Sequence, residues 1–307
     1  MFSISTTWNS ETTSSVEKIL AGIKKAGFDT IEVGHNFSSK KLDELALLTK
    51  IIDIKVVSVH NYCPVPPRPK SKRHKTDYYR ISSLDEEERQ KAVEFTKGTI
   101  DTARRLKAGT IVIHAGTVEL EPEYVDELMR LYREGKSSSE GCVELKDRFL
   151  KLRASKRGPH IDAAFKSMEE ILKYAIGGNI KVGLETRYYP NEIPNYDEIG
   201  YFLKSFVNKG LYYWHDVGHA EVNERLGITS HDAFLTSYSK YMLGMHIHDL
   251  IGIDDHKIPF KGDFDFSKIS KYLTDDLLKV IEAHSESALE DMDEAGISKR
   301  LREGLRQ

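Results

Sequence analysis

Eight short apolar segments recur along the chain, and segments with helical periodicity separate them. Each apolar segment is typical of a buried strand, and they lie at residues 2–5, 28–33, 54–59, 110–113, 180–184, 211–214, 242–247 and 277–281. Strands that alternate with helices, without a break in composition, favour one barrel of parallel strands. The length of 307 residues suits such a barrel with an insertion. We therefore predict the α/β class, with a single (β/α)₈ TIM-barrel domain spanning residues 1–307.

One region departs from the simple alternation of strand and helix. After the fourth strand, residues 121–133 and 143–154 both have amphipathic helical patterns, and G-K-S-S-S-E-G separates them. We predict a helical insertion at about residues 119–158, ahead of a barrel helix at 161–175. A structural flap is the simplest role for it, and a lid or a dimer contact are the alternatives. Further helices are predicted up to Ala26 and at 40–52, 85–106 and 287–302.

Composition excludes several classes of protein and site. The chain has 45 basic and 48 acidic residues, and its net charge of -3 gives no general attraction to nucleic acid or anionic membranes. Cys63 and Cys142 are the only cysteines, so a disulfide framework and a cysteine-based zinc site are both disfavoured. The sequence has neither a long apolar run nor an export signal. We expect a cytoplasmic location and no membrane partner.

Six consecutive predicted strands end in side chains that can bind metal or move protons. These side chains are His60, His114, Glu185, Asp216 with nearby His219, His246 and Glu282. The carboxyl ends of parallel barrel strands surround one mouth, so residues far apart in sequence meet there. Taken singly, each has a structural explanation such as a hydrogen-bonded histidine or an ion-paired glutamate. Six such accidents in a row are implausible, and the pattern predicts one site.

The segment from Gly244 to Gly262 is the richest in metal-binding side chains. Within eleven residues it contains three histidines and three aspartates, namely His246, His248, Asp249, Asp254, Asp255 and His256. Imidazole and carboxylate together are typical ligands of zinc, manganese or iron. The alternative is a surface loop that happens to be rich in His and Asp. The strand-end pattern favours a divalent metal site.

Several short motifs resemble one family. They are G-L-E-T-R at 183–187, H-D-V-G-H-A at 215–220, H-I-H-D at 246–249, D-D-H at 254–256 and V-I-E at 280–282. Together they resemble the xylose isomerase-like TIM-barrel superfamily, which includes sugar phosphate isomerases and epimerases, inosose dehydratases and endonuclease IV-type nucleases. The resemblance covers nearly the whole chain apart from the insertion. It does not choose among these members.

The resemblance to sugar epimerases implies a four-ligand divalent metal site at Glu185, Asp216, His246 and Glu282, with His219 nearby as a substrate contact or second-metal ligand. Manganese or zinc is the expected ion, with cobalt or magnesium as alternatives. In such a site the ion stabilises an enediolate of a sugar-like substrate, while Glu185 and Glu282 remove and return the proton. Arg187 is a candidate clamp for the substrate or, alternatively, a partner in an ion pair. His248 is a further candidate for substrate binding.

The resemblance to endonuclease IV-type enzymes implies a different function. There, nine matching residues hold three zinc ions: His60, His114, Glu185, Asp216, His219, His246, Asp254, His256 and Glu282. Such a site supports phosphodiester hydrolysis. The recognition of nucleic acid argues against it, because a single basic loop, Arg68 to Lys75, is followed by acidic residues 85–88.

A metal-stabilised binding protein without turnover is the third alternative, and the intact pair Glu185 and Glu282 argues against it. We therefore predict an isomerase or epimerase for a sugar or sugar-like polyol. A homodimer is the default expectation for its assembly.

Overall fold

All eight predicted apolar segments form strands, and the strands close into a parallel barrel. The computed structural model describes residues 1–69, 75–284 and 292–303. Neighbouring strands are parallel, and their order around the barrel is β1-β2-β3-β4-β5-β6-β7-β10. Strands β8 and β9 form a separate antiparallel hairpin that the sequence did not predict. The bounds are β1 (Phe2–Ser5), β2 (Thr30–Val33), β3 (Lys55–His60), β4 (Thr110–Ile113), β5 (Lys181–Glu185), β6 (Leu211–Asp216), β7 (Met242–Ile247), β8 (Asp249–Ile251), β9 (Asp254–Lys257) and β10 (Leu278–Ile281).

Several helices begin after a residue whose side chain accepts hydrogen bonds from the first turn. Asp85 accepts from Glu87 N and Glu88 N, and Asn195 forms a reciprocal capping box with Glu198. The bounds are α1 (Thr7–Ser10), α2 (Val16–Lys25), α3 (Ser39–Ile51), α4 (Glu86–Leu106), α5 (Glu123–Arg133), α6 (Glu140–Ile176), α7 (Tyr196–Phe206), α8 (Val217–Arg225), α9 (His231–Tyr238), α10 (Ser267–Ser270) and α11 (Glu294–Glu303).

Helix α6 differs from the prediction. We expected two helices with a boundary near Gly158, but one helix of 37 residues runs through Pro159. Its buried positions explain why, since Phe149, Arg153, His160 and Ala164 follow each other at intervals of four and seven residues along one stripe. Packing of that stripe against α4 and α5 outweighs the cost of a proline within the helix. The predicted insertion is thus α5 together with the first part of α6.

Two predictions fall partly outside the described residues. The basic loop includes Lys70, Lys72, Arg73 and His74, which lie outside them. The first residues of the predicted C-terminal helix, 287–291, do so as well. Among the residues that the structure describes, no helix has both the length and the apolarity to cross a bilayer.

A tryptophan fills the barrel interior below the mouth. Trp214 is fully buried and packs with Val112 and Val280. A Cβ on Gly183 would lie 2.9 Å from the indole, and one on Gly244 only 2.2 Å from it. These glycines on β5 and β7 therefore make room for a large aromatic ring. The ring forms a floor for the polar site, since it meets the imidazole of His246 edge-on at 5.1 Å.

Candidate metal centre and substrate cavity

The strand ends surround a cavity of about 320 Å³ at the mouth of the barrel. Seven of its lining residues are ones that the sequence singled out: His60, His114, Glu185, Arg187, His219, His256 and Glu282. The other lining residues include Asp255, from the histidine- and aspartate-rich segment, and two tyrosines whose aromatic rings the sequence offers as candidate walls for a sugar. The full set is His35, Thr76, Asp77, Tyr188, Tyr189, Glu192, Asp255 and His284. The structure therefore brings together residues from positions 35 to 284 of the chain.

Four buried side chains converge beside this cavity. Potential ligand atoms of Glu185, Asp216, His246 and Glu282 all lie within 4.8 Å of one another. His246 Nδ1 is 2.9 Å from both Glu185 Oε1 and Glu282 Oε2, and it is 3.6 Å from Asp216 Oδ2. Asp216 Oδ2 is buried without a hydrogen-bond partner. Three carboxylates around one nitrogen, one of them with an unpartnered oxygen, fit a divalent cation, because buried negative charge needs compensation.

The histidine of this group is oriented by a glutamate that the sequence reasoning missed. His246 Nε2 lies 3.0 Å from Glu32 Oε1, and Glu32 Oε2 accepts a 2.7 Å hydrogen bond from Ser58. A protonated Nε2 leaves Nδ1 free to bind a metal ion, and a carboxylate behind a ligand histidine commonly fixes this tautomer. The available signal was a charged residue within the apolar strand segment I-E-V.

Electrostatics in the four-residue group keep its carboxylates ionised. Burial opposes the charge of Glu185, but His114 and His246 outweigh it and hold the pKa of this carboxyl well below its ordinary value. Burial likewise opposes the charged form of His246, yet Glu282 and Glu32 raise the pKa of the imidazole well above normal. The group therefore has the charge that attracts a cation.

A second set of potential ligands shares Glu185. His114 Nε2 is 2.7 Å from Glu185 Oε2, and His60 Nε2 is 3.4 Å from the same oxygen. His60 Nδ1 donates to the carbonyl of Asn61 at 2.8 Å, so Nε2 of the neutral ring carries a lone pair. The lone pair of His60 Nε2 and the carboxylate oxygen of Glu185 repel each other unless a proton or a metal cation lies between them. This set is thus a second candidate for metal binding.

A third set contains Asp216, His219, His248 and His256. Nδ1 of His219 donates to Thr186 O at 2.8 Å, which leaves Nε2 directed at Asp255 Oδ2, 3.5 Å away. His219 therefore lies where the sequence predicted it, at the cavity wall.

His248 does not lie where a substrate contact would. It is fully buried, donates through Nε2 to Asp216 Oδ1 at 3.0 Å, and accepts at Nδ1 from the backbone of His256 at 3.0 Å. Both ring nitrogens are thus in use within the protein. The ring lies over Gly218, where a Cβ would come within 2.1 Å of it. Its contact with Oδ1 of Asp216 fixes one oxygen of that carboxylate.

Of the two aspartates in the β8–β9 hairpin, Asp255 lines the cavity and Asp254 does not. Asp254 points away from the cavity and accepts a 3.0 Å hydrogen bond from Arg133, with both side chains more than half exposed. Asp255 lines the cavity instead and lies 2.9 Å from His256 Nδ1. Simple strand alternation would place residues 254 and 256 on one face, but His256 has a left-handed φ of 57° that breaks the alternation. Burial lowers the pKa of His256, but the nearby carboxylates, Asp255 first among them, outweigh burial and raise the pKa of the imidazole to about 9.

Arg187 is both ion-paired and part of the cavity wall. Its Nη2 donates to Glu192 Oε1 at 2.6 Å, and its Nη1 lies 3.3 Å from Glu185 Oε2. Tyr188 and Tyr189 follow it along the wall. Glu192 was missed because it follows no predicted strand. The two tryptophans of the chain, Trp8 and Trp214, are buried and do not line the cavity.

Comparisons with known proteins agree with this architecture. A D-tagatose 3-epimerase-like protein has a TM-score of 0.59 and 21% identity, over 99% of this chain and 96% of that one. D-psicose 3-epimerase from Clostridium cellulolyticum H10, solved with D-tagatose, has a TM-score of 0.62 and 14% identity, over 99% and 96%. A xylose isomerase domain protein from Planctomyces limnophilus has a TM-score of 0.61 and 14% identity, over 98% and 95%. At these identities the likeness concerns the fold.

Sequence comparison points the same way at the level of the family. A search of curated proteins returns no match. The family model described as xylose isomerase-like TIM barrel matches residues 20–306, which is nearly the whole chain. The chain therefore belongs to the xylose isomerase-like TIM-barrel family.

Proposed function

We propose that the protein is a divalent-metal-dependent isomerase or epimerase that acts on a sugar or sugar-like polyol by proton transfer. One observation carries the proposal. Of the four residues in the group Glu185, Asp216, His246 and Glu282, the two glutamates also line the cavity, whereas Asp216 and His246 do not. Two carboxylates thus face the space for a substrate from a group suited to a cation, which is the arrangement a two-base proton transfer requires.

Glu185, Asp216, His246 and Glu282 are the residues that would hold the ion. When bound, a divalent ion supplies positive charge beside the substrate oxygens that become negative as the proton leaves carbon. Imidazole with carboxylate favours manganese or zinc over magnesium. Glu32 and His248 hold His246 and Asp216 in the orientation that this requires.

Glu185 and Glu282 move the proton in this proposal. One glutamate removes the proton from the carbon next to the carbonyl, and the C–H electron pair passes into the carbon skeleton to give an enediolate. The other returns a proton, to the opposite face for epimerisation or to the neighbouring carbon for isomerisation. Arg187 is positioned to donate hydrogen bonds to substrate oxygens at this wall, and His219, whose Nδ1 donates to Thr186 O, can accept one at Nε2.

The cavity lining supports a polyhydroxylated substrate. Tyr188 and Tyr189 offer aromatic surface, while Asp77, Glu192 and Asp255 offer acceptors for hydroxyl groups. Arg187 is the one arginine or lysine that lines the cavity among the residues the structure describes, and Glu192 and Glu185 neutralise it. The structural neighbours that are named as epimerases of D-tagatose and D-psicose suggest ketoses as the first compounds to test.

Turnover of a ketose panel tests the proposal. The protein is stripped of metal, reconstituted with manganese, zinc, cobalt or magnesium, and incubated with free ketohexoses, ketopentoses and inososes. Product sugars are separated by chromatography. We expect epimer or isomer formation that requires the added ion. Turnover that survives complete metal removal would refute metal dependence.

A phosphodiesterase is the second candidate, and the additional ligand sets around His60, His114 and His219 favour it. Metal content per chain, measured by elemental analysis, distinguishes the two. The epimerase proposal requires one ion, and Asp254→Ala should leave it in place because Asp254 pairs with Arg133 at the surface. Two or three ions that fall in Asp255→Ala/His256→Ala, together with cleavage of abasic DNA, would favour the phosphodiesterase.

A further inference from the structure

Four residues of the cavity wall come from one loop between β5 and α7. They are Arg187, Tyr188, Tyr189 and Glu192. The loop spans residues 186–195 and belongs to no helix or named strand, although Asn191 and Ile193 form backbone hydrogen bonds with residues 115–118. Side chains on a loop keep a productive geometry only when other contacts fix the loop. The structure shows which contacts do so.

Glu192 forms hydrogen bonds with two other residues of the same loop. Its Oε1 accepts from Arg187 Nη2 at 2.6 Å and Nε at 3.2 Å, and its Oε2 accepts from the backbone of Tyr189 at 2.7 Å. The position of the Arg187 guanidinium therefore depends on where the backbone of Glu192 lies. Arg187 in turn reaches Glu185 Oε2 at 3.3 Å, which links the loop to the metal-binding group.

Arg153 anchors Glu192 from outside the loop. This arginine lies in the first part of α6 and is 3% exposed. Its Nη2 donates to the carbonyl of Glu192 at 2.7 Å. The same guanidinium forms a two-pronged pair with Glu198, at 2.8 Å from each of its two terminal nitrogens. Glu198 also accepts from the backbone of Asn195 at 2.8 Å, at the end of the loop.

These contacts give the insertion a part in the active site. We propose that Arg153 is a positioning residue, which fixes the loop 186–195 and thereby holds Arg187 and Glu192 against the substrate. The assignment of a substrate to this wall rests on the proposed function, whereas the anchoring of the loop does not. Arg153 lies within the region predicted as an insertion, so that region acts as a brace for the cavity wall.

A further hydrogen bond connects the loop 186–195 to the β8–β9 hairpin. Tyr188 of the same loop donates through its hydroxyl to the carbonyl of Ile253 at 2.6 Å, and Ile253 lies in the turn of the β8–β9 hairpin. That hairpin carries Asp255 and His256 into the cavity. Displacement of the loop therefore alters both sides of the cavity mouth.

The test compares Arg153→Met with Arg89→Met. Arg89 is a matched control because it is also buried, at 1% exposure, and bonds to Glu86, Ser167 and Glu170, none of which lines the cavity. Both changes break a buried or partly buried charge pair, and we expect each to lower Tm by roughly 10 °C. The variant Arg153→Met/Glu198→Gln removes the charge left behind and provides a second chain should the single variant fold poorly.

Two measurements separate positioning from general stability. Hydrogen–deuterium exchange of residues 186–195 should become at least about tenfold faster in the Arg153 variants and stay unchanged in Arg89→Met. With metal content equal, the KM for the sugar should rise roughly tenfold in the Arg153 variants alone, since small displacements of binding groups are costly. Arg153→Lys can make fewer of these contacts than arginine. Its exchange rate and its KM should lie between those of the wild type and Arg153→Met.

The outcomes also distinguish this proposal from the proposed function. If the wild-type protein turns over no ketose, the proposed function fails, and the exchange measurement still decides whether Arg153 anchors the loop. If exchange of residues 186–195 is the same in Arg153→Met and Arg89→Met, Arg153 is not a positioning residue. Faster exchange with an unchanged KM would overturn its link to substrate binding.

Discussion

The imidazole of His246 is surrounded by four carboxylates. Its Nδ1 faces Glu185, Asp216 and Glu282, and its Nε2 faces Glu32. The ring can place only one proton between these four carboxylates unless it becomes charged. Because it is fully buried, a charged ring without a metal ion would be surrounded by more negative charge than it can neutralise. A bound cation resolves this imbalance, and Glu32 then has the role of fixing the ring.

Glu32→Gln tests this role. The amide keeps the size of the side chain but is a weaker acceptor for Nε2–H, so the ring is less firmly oriented and less basic. We expect metal affinity to fall roughly 10- to 100-fold, as for other changes behind a ligand histidine. Competition with a chelator measures it.

Ser58→Ala is the matched control for that experiment. It removes the 2.7 Å hydrogen bond to the other oxygen of Glu32 and leaves the contact with His246 in place. Its metal affinity should fall less than that of Glu32→Gln. Equal affinity in Glu32→Gln and wild type would show that Glu32 does not support the ligand.

At the residue scale, sequence reasoning predicted which side chains come together at the ends of strands better than it predicted the contacts made by residues in loops. It named Glu185, Asp216, His246 and Glu282, which the structure brings together, because the carboxyl ends of barrel strands must converge. It did not foresee that His248 uses both ring nitrogens within the protein, or that Asp254 pairs with Arg133 at the surface, because those contacts depend on tertiary packing. It missed Glu32, Asp77 and Glu192, which lie within a strand or in loops. Whether these residues bind metal or substrate stays a prediction.

At the scale of elements, helix α8 packs at a glycine against His248, the residue that follows strand β7. The motif H-D-V-G-H places Gly218 in the first turn of α8, under the ring of His248. The absence of a Cβ lets that ring approach Asp216. The glycine is therefore required for packing around the metal-binding group.

Gly218→Ala should destabilise the protein and weaken metal binding together. A Cβ there would lie 2.1 Å from His248 Cε1, so the ring must move away from Asp216. Gly98→Ala in α4 is the control, because nothing lies within 4 Å of its Cβ position. We expect Gly98→Ala to raise stability by about 1 kcal/mol through helix propensity. Thermal unfolding without metal measures stability, and the rise in Tm on adding metal measures metal binding. A Gly218→Ala protein as stable as the wild type would contradict the packing argument.

Two elements were beyond prediction for identifiable reasons. The continuity of α6 was obscured by Pro159 and by Gly158 beside it, which usually end helices, although the stripe of buried positions continues across them. The β8–β9 hairpin has only three and four residues in its strands, too few for an alternating pattern to stand out.

At the scale of the whole molecule, the barrel was predictable because fully buried parallel strands appear as short apolar segments. All eight were found, with bounds within two residues of those observed. The organisation as one domain with an insertion, the cytoplasmic location and the homodimer stay predictions. The choice among the functions of the family depends on the few side chains at the mouth, which the fold alone does not determine.

The central claim is that Glu185 and Glu282 exchange a carbon-bound proton of a sugar. Incorporation of solvent deuterium measures this directly, when the metal-reconstituted protein is incubated with ketoses and inososes in D₂O and the sugars are analysed by NMR. We expect deuterium at the carbon next to the carbonyl, and a rate lower by roughly 10²- to 10⁴-fold in Glu282→Gln. The absence of label from every sugar with a metal-loaded protein, or label entering as fast with Glu282→Gln, would contradict the account.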